Sequence, residues 1–125
     1  MATSADSAAL RETSLVPEHF DGRSVVAKFF RAVGDPNRLA LINFLSFQEH
    51  SATECVALLG LAQSRVSAHL ACLVTCGLVT IRREGRFAYY HVGDPRVLEL
   101  VRLGSEVAAD NAASVANCTR ITVPQ

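Results

Sequence analysis

Residues 63–77 read QSRVSAHLACLVTCG, and this stretch decides the fold. Its apolar side chains recur at the spacing of one helical face, which predicts a helix that Gly77 ends. The inward-facing positions are Val66, Leu70, Leu73 and Val74. A shorter helix is predicted before it, because Ser51 and Glu54 have the capping-box spacing and Gly60 can end the helix. Two short helices joined by a glycine-containing turn predict a helix-turn-helix, whose second helix is available to the major groove of DNA.

The period of the apolar pattern changes after Gly77 from that of a helix to that of a strand. Residues 78–81 and 87–92 are strand-like, and residues 82–86 (RREGR) separate them as a glycine-bearing hairpin. The sequence therefore predicts a β-wing with three arginines near its tip, namely Arg82, Arg83 and Arg86.

Further helices are predicted before this motif. Residues 24–33 have apolar side chains at helical spacing, and Gly34 follows as a C-terminal cap. Asp35 and Pro36 then begin another helix as its N-cap and first-turn proline. The buried stripe of that helix is predicted to be Leu39, Leu41, Ile42, Phe44 and Leu45.

The two ends of the chain complete the predicted domain. Asp94 and Pro95 cap a last helix over residues 96–113, with an apolar face of Val97, Leu98, Val101 and Val107. Residues 1–23 predict an N-terminal helix or arm broken at Pro17, and residues 114–125 form a C-terminal tail without a strong pattern. No linker divides residues 1–125, so we expect one mainly α domain with a β-hairpin wing (α+β), a winged helix-turn-helix.

The distribution of charge points to one surface. The chain of 125 residues has a formal net charge of zero, which by itself gives no indication of a nucleic-acid partner. Residues 61–93, however, hold four arginines against a single glutamate, while the segments on either side are slightly acidic. We therefore expect the DNA surface in that segment.

Composition also indicates the compartment. No apolar run is long enough to span a bilayer, and residues 1–14 lack the basic start and apolar centre of a signal peptide. We therefore expect a cytoplasmic protein without a membrane partner. In a reducing cytosol its four cysteines are expected to be thiols or metal ligands rather than disulfides.

The solvent side of the helix at 63–77 carries the candidate DNA contacts. Small hydroxyl side chains and an arginine near a helix N-terminus suit phosphates and base edges. The candidates on this helix are Ser64, Arg65, Ser67 and His69, and Arg82, Arg83 and Arg86 join them from the wing. His69 has an alternative, because its ring could equally satisfy a local backbone group.

Cys72 and Cys76 are separated by one helical turn, so their side chains lie on one face of the helix. At that spacing both sulfurs could take one soft metal ion. Two small cysteines packed into a core would fit the same spacing. The residues alone leave both interpretations open.

Three stretches together resemble the ArsR/SmtB family of metal-responsive repressors. They are residues 66–79 (VSAHLACLVTCGLV), the RREGR of residues 82–86 followed by Tyr89 and Tyr90, and residues 34–39 (GDPNRL). The resemblance covers roughly residues 25–110. It implies a homodimer paired through the terminal helices, binding to double-stranded operator DNA without metal, and release when metal binds.

Within this family the cysteine pair is similar to that of the mycobacterial cadmium/lead-sensing repressors. That resemblance implies Cys72 and Cys76 as ligands and a third thiolate from the C-terminal tail, which is Cys118 here. Three thiolates without a fourth donor suit Hg²⁺, Cd²⁺, Pb²⁺ or trivalent arsenic. The family's Cys-x-Cys site is incomplete, because residues 54–57 read ECVA, and Cys55 is expected in the core rather than as a fourth ligand. The last helix has no histidine, so zinc sensing is not expected.

The same sequence features are compatible with functions other than metal sensing. A thiol redox switch on the same scaffold is the alternative, because an exposed thiolate near His69 or Arg65 would be reactive. An enzyme is not expected, since no cysteine–histidine–acid set occurs in a recognisable context. A DNA-bending module without sequence preference is the remaining alternative.

Overall fold

The computed structural model describes Leu15 and residues 22–123. The described elements, in chain order, are helices α1 (Gly22–Val33) and α2 (Pro36–Phe47), strand β1 (His50–Ser51), helices α3 (Ala52–Leu59) and α4 (Gln63–Thr75), strands β2 (Thr80–Glu84) and β3 (Phe87–His91), and helices α5 (Pro95–Asp110) and α6 (Ala112–Ala116). The helix predicted within residues 1–23 lies outside the described residues, apart from Leu15, Gly22 and Arg23. Two compact units meet at the Arg31–Ala32 bond, and α2 and all later elements belong to the second unit. The single-domain interpretation stays a prediction.

The helix boundaries follow from local capping. The Asp35 carboxylate accepts a hydrogen bond from the Arg38 backbone N–H at 3.0 Å, and Pro36 occupies the first turn, as predicted. Ser51 and Glu54 form both hydrogen bonds of the capping box, and Gly60 ends α3 in the left-handed region at φ 65°. Helix α1 ends at Val33, directly before Gly34 as predicted, but Gly34 does not take the positive φ of a left-handed cap.

The core of the second unit is formed by α2, α3, α4, the start of α5 and the sheet. Its fully buried side chains include Leu41, Ile42, Leu45, Val66, Leu70 and Leu73. Each such side chain contributes about 1.5–3 kcal/mol relative to an exposed one. Leu39, which was predicted in the buried stripe of α2, lies on the surface instead and is 37% exposed. Val107, which was predicted on the apolar face of the last helix, is 62% exposed in the single chain.

The three strands form an antiparallel sheet in the order β1-β3-β2. β1 was not predicted, because a two-residue strand carries no alternating pattern. β2 begins at Thr80 rather than at residue 78, because the Leu78 and Val79 amides donate to the Leu73 carbonyl at 2.9 and 3.2 Å and finish the end of α4.

The wing hairpin is tighter than predicted. Gly85 and Arg86 form its turn, with Gly85 at φ 60°, and the strands extend to Glu84 on one side and from Phe87 on the other. Arg82 and Arg83 therefore lie in β2 and only Arg86 lies at the tip, which corrects the prediction of three arginines there.

The C-terminal helix is interrupted. The prediction of one helix over residues 96–113 is replaced by α5 and the short α6, which are separated at Asn111. Among the described residues no single helix has the length and apolar character that crossing a bilayer requires; α3 and α4 meet the criterion only when taken together, and they bend by 114° at their break.

Candidate nucleic-acid interface and thiol pair

Helix α4 packs against α2 and α3 and presents its first turns to solvent. Ser64, Arg65 and Ser67 are exposed, as the sequence predicts for a DNA-reading surface. No side chain caps the N-terminus of α4 at Ala62. The amides of the first turn, with the positive end of the helix dipole, thus lie beside hydroxyl and guanidinium groups that suit an anionic backbone.

One flank of α4 faces the wing. Ser67, Ala71 and Thr75 lie one turn apart along this flank and line a cavity of about 250 Å³ together with Ile81, Arg83 and Tyr90 of the sheet. Successive strand residues point to opposite faces, so Ile81 and Arg83 face α4 while Arg82 and Glu84 face away from it. Arg83 thereby places a cation beside α4.

Arg82 is engaged within the protein. Its Nη2 and Nε donate to the two carboxylate oxygens of Glu49 at 2.6 and 3.1 Å, and its Nη1 lies 2.5 Å from Glu84 Oε2. The guanidinium also lies 4.7 Å from the centre of the Tyr89 ring. The hydrogen bond from Arg82 lowers the pKa of Glu49, and the same bonds raise the pKa of Arg82. Two carboxylates therefore offset the charge of Arg82.

The other two wing arginines differ from Arg82 in their charge partners. Neither Arg83 nor Arg86 forms an ion pair with another described residue, and both are exposed. The wing therefore offers two uncompensated guanidinium groups rather than the three that the sequence predicts. Glu49 had been missed because it precedes Arg82 by 33 positions and belongs to no motif.

His69 is half-buried and turned toward α2. Its Nδ1 lies 3.3 Å from Nη1 of Arg38, whose Nε donates to the carbonyl of Ala32 at 2.6 Å. The structure therefore gives His69 a partner inside the protein. Arg38, which belongs to the GDPNRL stretch, was not among the predicted functional residues.

Cys72 and Cys76 lie in the last turn of α4. The Cys76 amide donates to the Cys72 carbonyl at 3.0 Å, so the two residues stack one turn apart as predicted. Cys72 is half-buried and Cys76 is exposed, whereas Cys118 is exposed in the tail beyond α6. No group of three histidine, cysteine, aspartate or glutamate residues suited to a metal ion occurs among the described residues of one chain. The structure thus brings Cys72 and Cys76 together and leaves Cys118 apart from them.

Cys55 is fully buried in α3. Burial, with a smaller effect of the Glu54 charge, raises the pKa of its thiol to about 11. A thiol in this environment stays protonated and inert, which agrees with the core role expected for it.

An apolar groove runs between α2 and α5. It has a volume of about 610 Å³, and its apolar lining comes from Ile42, Phe47, Leu98, Val101 and Ala109. Phe47 is 83% exposed at its edge. Exposed apolar surfaces of this kind are typical of protein contacts and of ligand-binding grooves.

Comparison with known proteins identifies the family and solved structures of the same fold. The family described as bacterial regulatory protein, arsR family, matches residues 35–80. The chain is 54% identical over 95 residues to a protein of Streptomyces lividans named as the probable mercury resistance operon repressor, covering 76% of each. It is 36% identical over 91 residues to the HTH-type transcriptional regulator CmtR of Mycobacterium tuberculosis, covering 70% of this chain and 77% of CmtR. The solved homodimeric winged helix-turn-helix DNA-binding domain Mb0332 of Mycobacterium bovis matches with a TM-score of 0.61 at 25% identity, covering 100% of this chain and 99% of that one.

Proposed function

The chain belongs to the arsR family of bacterial regulatory proteins, and from that premise we propose that it represses an operator and releases it when a thiophilic metal ion binds Cys72 and Cys76. Its role is that of a DNA-binding winged helix-turn-helix regulator and not of an enzyme. The observation that carries the metal proposal is the position of the thiol pair on the DNA-reading helix itself.

The spacing of the pair favours a metal over a disulfide. Cβ atoms four residues apart on a helix are about 5–6 Å from each other. A disulfide needs about 3.5–4.5 Å, so oxidation of this pair would require the last turn to unwind. A bound ion can bridge two sulfurs that are too far apart for a disulfide, since each metal–sulfur bond is about 2.3 Å long in zinc sites. The intact helix therefore suits one bridging ion, which disfavours the redox alternative.

Mercury is the proposed inducer. The 54% identical relative is named as a mercury resistance operon repressor, and thiolates select soft ions. Hg²⁺ is stable with two thiolate ligands, the number that Cys72 and Cys76 would offer within one chain, whereas Cd²⁺, Pb²⁺ and trivalent arsenic prefer more donors. Cys118, from the same chain or from the second copy, would supply the third thiolate for those ions.

Binding would act on the helix that reads DNA. When bound, the ion would join the thiolates into one rigid unit, at the expense of the thiol protons. Cys76 is the C-cap of α4, directly before Gly77 at φ 78°, so a restraint there acts where the helix ends and the chain turns toward the wing. A hundredfold loss of operator affinity needs only about 2.7 kcal/mol of coupling, which is ordinary for allostery.

The operator-binding form is proposed to be a homodimer in the cytosol. A second copy seated on the groove between α2 and α5 would cover its apolar lining, and the matched Mb0332 domain is itself homodimeric. Two copies of α4 would then read two half-sites in successive major grooves. Ser64, Arg65 and Ser67 would contact base edges and phosphates, and Arg83 and Arg86 would contact the backbone from the wing.

A metal panel in an operator-release titration tests this proposal. The duplex is one selected by the metal-free protein from a random-sequence library, and its release is followed by fluorescence anisotropy beside ultraviolet absorbance. Hg²⁺ is expected to release the duplex while a thiolate-to-metal absorption band grows. Release by peroxide under metal-free conditions, with no release by any thiophilic ion, would instead assign a redox switch.

A further inference from the structure

The contact between Arg38 and His69 joins α2, a helix of the core, to α4, the helix proposed to read DNA. Arg38 is the third residue of α2, in the turn that the Asp35 N-cap begins, and His69 lies in the middle of the DNA-reading helix α4. Their side chains meet at 3.3 Å, 31 residues apart in sequence. The contact therefore fixes a point on α4 relative to a point on α2.

Arg38 is itself held in place. Its Nε donates to the Ala32 carbonyl at 2.6 Å, and its backbone N–H donates to the buried Asp35 carboxylate at 3.0 Å. The backbone bond holds the start of the helix, and the bond to Ala32 orients the guanidinium independently of His69, so Nη1 is a pre-positioned donor. A long side chain that is already ordered loses little entropy when it makes one more hydrogen bond.

The chemistry of the pair determines which nitrogen of the His69 ring accepts the hydrogen bond. A guanidinium group has no acceptor and keeps its protons, so Nδ1 of His69 must accept. The tautomer with its proton on Nε2 satisfies this bond. The acceptor of the imidazole is then used inside the protein.

We infer that His69 is a positioning residue for operator recognition, which acts through Arg38 by fixing α4 against α2 rather than by reading a base. The exposed face of α4, with Ser64, Arg65 and Ser67, remains the surface that meets DNA. This inference rests on the DNA-binding half of the proposed function and is independent of the metal site.

A double-mutant cycle on operator affinity tests the inference, with the selected duplex and metal-free protein. His69→Ala and Arg38→Met are each expected to weaken binding about tenfold, the factor that corresponds to about 1.4 kcal/mol. The double variant is expected to bind no more weakly than Arg38→Met alone. The bond to Ala32 is lost in both Arg38 variants, so it cancels in the cycle.

His69→Asn is the conservative variant, because the Asn side-chain oxygen can accept the bond from Arg38. It is expected to restore affinity to within about threefold of wild type, since it keeps the hydrogen bond that the alanine variant loses. Thermal unfolding of each variant identifies any that fails to fold, and the Asn variant then carries the test. When each operator base pair is substituted in turn, His69→Ala should still distinguish the substituted duplex from the original at every position where the wild-type protein does.

Three results would overturn the inference: losses that multiply in the double variant, a folded Asn variant as weak as the alanine one, or one base pair that His69→Ala no longer distinguishes. Failure of the wild-type protein to select any duplex would instead refute operator binding, so the two failures are distinguishable.

Discussion

Arg82 and Glu49 form a two-point ion pair across 33 residues of sequence, with Nη2 2.6 Å from one carboxylate oxygen and Nε 3.1 Å from the other. This pair joins β2 to the segment between α2 and β1, so Arg82 fixes the base of the wing. It also divides the three wing arginines into one structural residue and two candidates for DNA contact.

Salt dependence distinguishes these roles. Arg83→Ala and Arg86→Ala should each reduce the slope of log affinity against log salt by about one, because each removes a phosphate contact. Arg82→Ala should leave the slope unchanged and lower the melting temperature. Glu49→Gln is the matched control and should behave like Arg82→Ala. A slope reduced as much by Arg82→Ala as by Arg83→Ala would assign all three arginines to the DNA.

Thiol labelling tests the environments of the cysteines. Cys76 and Cys118 are exposed and should react with iodoacetamide in the folded protein. Cys55, buried with a pKa of about 11, should react only after unfolding, since about one thiol in a thousand is ionised at pH 8. Mass spectrometry of digested samples locates the label. Labelling of Cys55 as fast as Cys118 without denaturant would contradict its place in the core.

The groove between α2 and α5 provides a test of dimerisation. Phe47→Glu places a charge at its exposed apolar edge and should shift the protein from dimer to monomer in sedimentation velocity. Leu58→Glu, at an exposed position in α3 away from the groove, is the control and should remain dimeric. A dimeric Phe47→Glu protein of unchanged stability would place the interface elsewhere.

Cys118→Ser tests whether the ions differ in the number of thiolates that each requires for operator release. It should weaken the response to Cd²⁺ and Pb²⁺ by more than the loss of about 10–100-fold that removal of an outer-shell partner causes. The response to Hg²⁺ should change less, because Cys72 and Cys76 suffice for it. Equal responses of variant and wild type to every ion would remove Cys118 from the ligand set.

Features determined within a few residues could be predicted from the sequence. The Asp35 cap, the Ser51–Glu54 capping box and the left-handed Gly60 each depend on chemistry within one helical turn. The spacing of Cys72 and Cys76 was predictable for the same reason. Local patterns and caps also indicated the order of most elements, and the family resemblance supplied the expectation of a dimer.

Features determined by contacts distant in sequence could not be predicted. The partner of Arg82 is Glu49 and that of His69 is Arg38, and no motif links either pair. Arg82 and His69 were both expected to contact DNA, and each has a partner within the protein instead. The source of a third thiolate for Cys72 and Cys76 is still harder to predict, because that thiolate could belong to the second copy of a dimer.

The most direct test of the central claim is operator release by Hg²⁺ in single-cysteine variants, measured by fluorescence anisotropy at fixed pH. Cys72→Ser and Cys76→Ser should bind the duplex as tightly as wild type without metal and retain it at Hg²⁺ concentrations that release wild type. Cys55→Ala, which also removes one thiol, should release normally. Normal release by either serine variant would contradict the assignment of the sensor to this pair.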